Sequence, residues 1–393
     1  MFDTLKALLP FRRMPEEQFQ AERERILDAA PIPVFWLFGK TGSGKTSIIK
    51  NLTGAQEAEI GNGFRPQTKF SHEYDFPGPE NPVVRFLDTQ GLGEGNYDPQ
   101  EDIRAFDSSA HVMIVTVRAL DHALAEVVEP LKEMRQQSPQ RPVLLAITHL
   151  HEAYPQQQHP NPDPFDNATI PDDLPGELGR SIRQQQQRFE GLVDGVVAID
   201  FTKQEEGLHP PDFGSGRLKA ALVHLLPAAY RQTLLNLDDA MKSLKDLTER
   251  RAMPFIISYS TMSATAAAVP IPWVDIPLVL AIQSHLVYKL AGLYGQEWNK
   301  HLMQTAASSV GGRLLTRMLI RGPLKVIPFA GMAANAGLAF AYTYAQGKAW
   351  CWYFSEMKAG HAPQPEDLER IWKEQISVAT DLWKRHRDAE PGS

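Results

Sequence analysis

The chain has 393 residues, 43% hydrophobic and 22% charged, with a formal net charge of −7. That length exceeds one typical core, so two domains are expected, and the composition is that of a globular chain rather than a disordered one. The negative balance gives no bulk attraction to nucleic acid, and the single cysteine, Cys351, excludes an internal disulfide framework or a Cys/His metal cluster and suits a reducing, cytoplasmic setting.

Met1 to Arg13 does not read as a secretory signal, because its apolar run is short and its basic residues follow that run. Phe2, Leu5, Leu8 and Leu9 share one helical face, which suits either a packed helix or an anchor on a lipid surface. Residues 1–30 are read as an N-terminal helical segment, closed by Pro31 and Pro33. Next comes Val34 to Phe38, apolar and of strand length, then Gly39-Lys40-Thr41-Gly42-Ser43-Gly44-Lys45-Thr46, then the helix-like opening Ser47-Ile48-Ile49. Strand, glycine-rich turn and helix in this order make a phosphate-binding loop, fitting G-x-x-x-x-G-K-[ST] at every fixed position. The glycines let backbone N–H groups from Gly39 and Thr41 through Ser47 line a concavity for an anion, and the helix N-terminus adds its unpaired donors. Lys45 can reach the β- and γ-phosphates, and the Thr46 hydroxyl can ligate Mg²⁺. The expected ligand is therefore a nucleoside triphosphate with magnesium.

Downstream, Phe70 to Phe76 alternates as a half-buried strand and Val83 to Leu87 continues as a buried one, ending in Asp88-Thr89-Gln90-Gly91. An Asp at that strand end is suited to an outer magnesium contact, and Gly91 allows a backbone N–H to approach a γ-phosphate. Thr68, between the two motifs, is the better candidate for a threonine that bonds both magnesium and γ-phosphate; the alternatives are an ordinary loop threonine or Thr53. His111 to Val117 is a strand, Ala119 to Gln137 a helix, and Val143 to Thr148 a strand that ends in Thr148-His149-Leu150-His151. Glu152 to Pro175 reads as an exposed insertion, Leu178 to Leu192 as a helix, and Val196 to Phe201 as the last strand. The alternation predicts an α/β domain over 31–230, with a mostly parallel sheet covered by helices on both faces. Its ligand should lie at the strand C-termini, where Gly39, Asp88, Thr148 and Asp200 converge.

The phosphate loop, Thr68, Asp88 to Gly91 and the strand ending at Thr148 resemble the Era-like branch of translation-factor-type GTPases, over roughly residues 30–230. The resemblance implies GTP as the nucleotide and Lys45, Thr68 and Gly91 as the catalytic set. It implies Thr46, Thr68 and Asp88 for the metal, and Thr148 and His149 for the base. The second half resembles a helical domain of unknown function that follows such G domains in bacterial proteins. Three departures stand out. The family reads guanine with [NT]-K-x-D, whereas this chain has no Asp at the fourth position. A hydrogen bond to a charged group contributes ~1.5–3 kcal/mol, so that loss weakens discrimination against adenine by ~10–100-fold. His149 can stack on a purine, as in septin-like GTPases with Thr-His at this place, and Glu152 is a candidate replacement carboxylate. Leu92 stands where a water-positioning Gln is common, so slow turnover is expected, and Gly42 stands where potassium-activated relatives carry Asn.

From Arg217 the chain reads as helices, with 231–393 as a helical domain. Residues 254–274 and 326–347 carry no charge and reach the ~20-residue length of a membrane span. They read either as spans or as a buried helical hairpin, and Trp273, Trp350, Trp352 and Tyr353 as an interfacial belt or as core aromatics. Ala330, Ala334, Gly337 and Ala341 would let another helix approach closely. Pro363 to Arg387 is a charged helix. The leading expectation is a slow GTPase switch. Alternatives are a nucleotide-dependent membrane or assembly protein at the inner membrane face, and an ATPase or kinase on the same loop. An activating protein or a homodimer would supply missing charge.

Overall fold

The computed structural model describes residues 16–55, 60, 63–66, 71–89, 99–106, 109–154, 158–165, 170–171, 174, 176–242, 246–268, 275–296, 330–361 and 363–387. Thr68, Gln90, Gly91, Leu92 and Trp273 fall outside them, as do Phe2, Leu5, Leu8 and Leu9. The chain divides into two compact units, Pro33–Arg231 and Met1–Ile32 together with Gln232–Ser393. The first described helix, α1 (Glu16–Ala29), belongs to the second of these.

The unit Pro33–Arg231 is built on β1 (Val34–Phe38), α2 (Lys45–Thr53), β2 (Phe64–Pro66), β3 (Ser71–Phe76), β4 (Val84–Thr89), α3 (Pro99–Phe106), β5 (Val112–Arg118) and α4 (Ala125–Gln137). It continues with β6 (Val143–Thr148), α5 (Gly176–Arg188), β7 (Gly195–Ala198), β8 (Asp200–Phe201), β9 (Asp212–Phe213) and α6 (Ser215–Leu225). Seven strands form one sheet in the order β2-β3-β4-β1-β5-β6-β7. The five from β4 to β7 pair in parallel, while β2/β3 and β3/β4 are antiparallel. A parallel sheet is buried on both faces, which is why β1 and β6 read as unbroken apolar runs. Phe35, Trp36, Leu37 and Phe38 are each 0% exposed, and burying one such side chain contributes ~1.5–3 kcal/mol.

Several boundaries differ from the sequence expectation. β3 was expected to alternate between core and solvent, yet Glu73 and Asp75 are buried too. Arg85 Nε donates to Asp75 Oδ1 at 2.7 Å and Arg85 Nη2 to Asp75 Oδ2 at 3.2 Å, while Arg65 reaches across from β2 to both carboxylates. The helix expected from Ala119 begins only at Ala125. The preceding residues turn, because Ala119 N–H donates to Thr148 O and Asp121 Oδ1 accepts Ala123 N–H. The last expected strand divides at Ile199. β7 ends there, and Asp200 and Phe201 pair instead with Phe213 and Asp212. The segment read as an exposed insertion puts Phe165 (1% exposed) and His159 (9%) into the core, where His159 stacks on Phe213 at 4.4 Å and Arg217 lies over both Phe165 and Phe213.

The other unit is helical: α1, most of α7 (Ala228–Lys242), α8 (Leu247–Ala268), α9 (Asp275–Leu293), α10 (Ala330–Lys358) and α11 (Pro365–Arg387). α10 packs on α8, α9 and α11, and α1 packs on α8 and α9. Gly347 leaves room for Ile256, where a Cβ would fall 2.8 Å from that side chain, and Gly337 leaves room for Trp383 of α11. Trp350 and Tyr353 are core aromatics, 1% and 3% exposed, with ring centroids 5.1 Å apart. This corrects the interfacial-belt reading for those two residues. No described helix is long and apolar enough to cross a membrane. The helices that carry the uncharged stretches also hold Glu249, Arg250 and Arg251 on α8 and Lys348 on α10. Lys348 ion-pairs with Glu249.

Candidate functional site

The phosphate loop leaves the buried end of β1 and enters α2. Gly42 and Gly44 sit at φ 77° and 96°, backbone conformations that an L side chain strains to adopt. Gly39 is required for space: a Cβ there would lie 2.2 Å from Thr116 Oγ1 and 2.5 Å from Thr116 O. Behind the loop, Ser43 Oγ and Thr116 Oγ1 are 2.6 Å apart, and Thr148 Oγ1 donates to Ser43 O at 2.9 Å. The strands β5 and β6 therefore fix the loop from behind. At its side, Lys40 Nζ donates to Ala123 O and pairs with Asp121 at 3.1 Å.

Lys45 is 8% exposed. Its ammonium donates to Gly39 O at 2.6 Å and to Lys40 O at 3.1 Å, and stands 3.9 Å from Asp88 Oδ1. Burial pushes its pKa down, opposed by the Asp88 carboxylate. Asp88 is 5% exposed at the end of β4, and the Thr46 side chain is exposed at the loop mouth, as is Thr41. Hydroxyl and carboxylate oxygens of this kind suit a hard divalent ion. Among the described residues no group of three or more His, Cys, Asp or Glu could hold a metal by itself. Thr53 faces away from this role, its hydroxyl donating to Ile49 O at 2.7 Å inside α2.

The other end of the site is the turn after β6. Thr148 Oγ1 also lies 3.2 Å from Val117 O and 3.0 Å from His149 Nδ1. His149 holds φ 53°, the one non-glycine residue with positive φ among the described residues. Burial pushes its pKa down, aided by the nearby Arg118 cation. Glu152 is engaged by Arg118, and the carboxylate in contact with His151 is Asp200. The His151 backbone N–H donates to Asp200 Oδ2 at 2.8 Å, and His151 Nδ1 is 2.7 Å from Asp200 Oδ1.

The structure thus gathers Gly39, Thr41, Gly42, Ser43, Gly44, Lys45, Thr46, Ser47 and Asp88 around one loop, with Thr148 in contact behind it. Thr68 and Gly91 lie outside the described residues. Sequence reasoning passed over Thr116 and Asp121. Thr116 had one signal, being the only uncharged polar residue in the otherwise apolar run Val112 to Val117. Asp121 had none.

Residues 34–149 match the family model described as 50S ribosome-binding GTPase, and residues 235–379 match a domain of unknown function, DUF697. The chain carries a GTP-binding P-loop GTPase domain followed by that helical domain. Similar solved structures include the bacterial dynamin GTPase LeoA from ETEC, at 12% identity over 98% of this chain and 93% of that one, TM-score 0.36. The cytosolic domain of the T. maritima FeoB iron transporter in its GMPPNP form matches at 14% identity over 67% and 98%, TM-score 0.27. Bacterial selenocysteine-specific elongation factor EF-Sec matches at 16% identity over 55% of this chain, TM-score 0.31. The chain spans only 30% and 33% of the two elongation factors it matches. No curated protein matches it.

Proposed function

We propose that the chain is a slow GTP switch, which binds GTP with magnesium and passes the state of the loops around Thr68 and Gly91 to its helical unit. The observation that carries this is Lys45. A buried ammonium is costly unless anions accompany it; Asp88 stands 3.9 Å away, and the ammonium sits in a loop whose glycines admit a further anion. In this reading Lys45 bonds the β- and γ-phosphates, and the Gly91 N–H meets the γ-phosphate. Backbone N–H groups of Thr41 through Ser47 bind the α- and β-phosphates, and His149 stacks on the base while Thr148 fixes the loop. The Thr46 and Thr68 hydroxyls would hold the magnesium ion, with Asp88 in contact through its water. When bound, that ion neutralises phosphate charge. Leu92 cannot orient water, so unassisted turnover is expected below the ~3–5 × 10⁻⁴ s⁻¹ of a GTPase that has a water-orienting Gln but no added arginine. An activating protein or a second copy of the chain would then supply charge to the reaction. Assignment to the Era-like branch rests on motif spacing.

The test is a titration with a fluorescent GTP analogue and magnesium. Lys45→Ala is expected to abolish binding, and wild-type affinity in that variant would sink the reading. Competition by ATP should be weaker than by GTP; equal competition would put the ATPase alternative first. Flotation with liposomes, with and without nucleotide, addresses the membrane-face alternative, which predicts a nucleotide-dependent shift.

A further inference from the structure

Resting on the GTP reading, the geometry points to a substitute for the missing guanine-reading carboxylate: His151, held by Asp200, reads the base through its Nε2. Residue 151 is the fourth residue of Thr148-His149-Leu150-His151, where the family's [NT]-K-x-D carries its aspartate. Its side chain is 27% exposed, whereas Asp200 is 1% exposed. Asp200 grips the residue twice, through the backbone N–H at 2.8 Å and through Nδ1 at 2.7 Å. A carboxylate only accepts, so Nδ1 carries a proton, and in the neutral imidazole, the form this proposal requires, Nε2 keeps its lone pair. The buried acid is brought there by the break after β7, which turns Asp200 out of the main sheet and pairs it with β9. Next to this pair His149 adopts its left-handed backbone, its ring centroid 5.8 Å from that of His151. Strained non-glycine backbone of this kind clusters at ligand sites.

A neutral imidazole nitrogen and a carboxylate accept differently. The carboxylate has two oxygens and takes both the N1–H and the 2-amino group of guanine. Nε2 has one lone pair in the ring plane and takes one donor, the N1–H. Adenine presents an acceptor at N1 and is rejected, because two acceptors would face each other without a proton. The 2-amino group contributes no bond to His151, so hypoxanthine is bound as well as guanine. The site separates 6-oxopurines from 6-aminopurines and is blind to the substituent at C2. Asp200 is a positioning residue here. It acts by fixing which nitrogen of His151 carries the proton.

The experiment is competition against a fluorescent GTP analogue with magnesium on the full chain, using GTP, ITP and ATP. In the wild type, ITP is expected to match GTP within about threefold, with ATP at least tenfold weaker. Preference for GTP over ITP by more than about tenfold would overturn the proposal, since it requires a second acceptor for the 2-amino group. Equal binding of ATP and GTP would also overturn it while leaving triphosphate binding intact. Failure of the underlying reading looks different: the analogue does not bind, or binds equally to Lys45→Ala. His151→Ala should bring GTP and ITP down toward ATP, and an unchanged GTP-to-ATP ratio there would count against the proposal. Asp200→Asn should lower the same ratio by freeing the tautomer, a readout that a purely structural role would not move. The wild-type comparison of GTP with ITP needs no variant and stands whatever the buried Asp200 substitution does to folding.

Discussion

Single residues in the phosphate loop are fixed by space as much as by chemistry. Gly39 is the sharpest case, since its missing Cβ is what lets β1 pass Thr116 of β5. The atoms in the way are a short β-branched side chain and a backbone carbonyl in a buried strand, which have little room to yield. Gly39→Ala is therefore expected to destabilise the nucleotide unit by ~1–3 kcal/mol, seen as a lower urea midpoint at unchanged slope, and to weaken triphosphate binding. Thr116 carries the complementary prediction. Thr116→Val removes the partner of Ser43 Oγ at nearly constant volume and should cost about 0.5–1.5 kcal/mol. An unchanged midpoint in either variant would mean that the loop is not braced from β5. His111 adds a pH dependence. Its Nδ1 accepts the Val34 N–H at 3.0 Å at the start of β1, and burial holds its pKa below the ordinary 6.5. As pH falls the unfolded chain takes up this proton first. The contribution is thus fully present above 6.5 and is lost as pH falls toward the lower folded value. Thermal midpoints between about pH 7 and about pH 5 should fall less steeply in His111→Asn than in the wild type, because Asn can accept the same N–H without titrating.

Among elements, α3 depends most on one residue. Asp102 is 0% exposed on that helix, and it takes hydrogen bonds from Ser71 Oγ of β3 at 2.5 Å and Thr89 Oγ1 of β4 at 3.3 Å. Thr89 in turn accepts the Trp36 Nε1–H of β1 at 2.8 Å. One carboxylate thus ties a helix to three strands beside the site. Removing it strands buried hydroxyls, so Asp102→Ala should cost ~1–3 kcal/mol. Hydrogen exchange should localise the loss to α3 and the adjoining ends of β3 and β4; uniform protection across the sheet would contradict the network. The network was invisible in sequence, since Asp102 sits in a short polar segment with no distinguishing pattern. β1 and β6, by contrast, were legible residue for residue, because complete burial of a parallel strand leaves an unbroken apolar run that few other structures require.

At the scale of the molecule, each of the two units has its own core. In the helical unit Trp350 packs against Tyr353 and Phe354, at 5.1 and 5.3 Å between ring centroids. Trp350→Ala should lower that unit's stability by ~3–5 kcal/mol while GTP affinity stays at the wild-type value. Calorimetry with and without GTP can separate the two: nucleotide should raise the transition of the nucleotide unit in both proteins. A loss of GTP binding in this variant would show that the nucleotide site depends on the helical core.

The amino-acid order by itself determined the phosphate loop, the sheet strands and the helical character of the second half. These are set locally, by glycine conformation, by periodicity and by the length of apolar runs. It also pointed to Asp88 and Thr148, which stand against the loop at 3.9 Å from Lys45 and 2.9 Å from Ser43 O, because strand ends converge beside such a loop. What only the tertiary structure decided are the pairings between residues far apart in the chain. Asp200 reaches His151 across 49 positions, Thr116 meets Ser43 across 73, and Lys348, one residue beyond an uncharged stretch, pairs with Glu249 across 99. Such contacts depend on where strands end and helices cross, and composition near either partner carries no trace of the other.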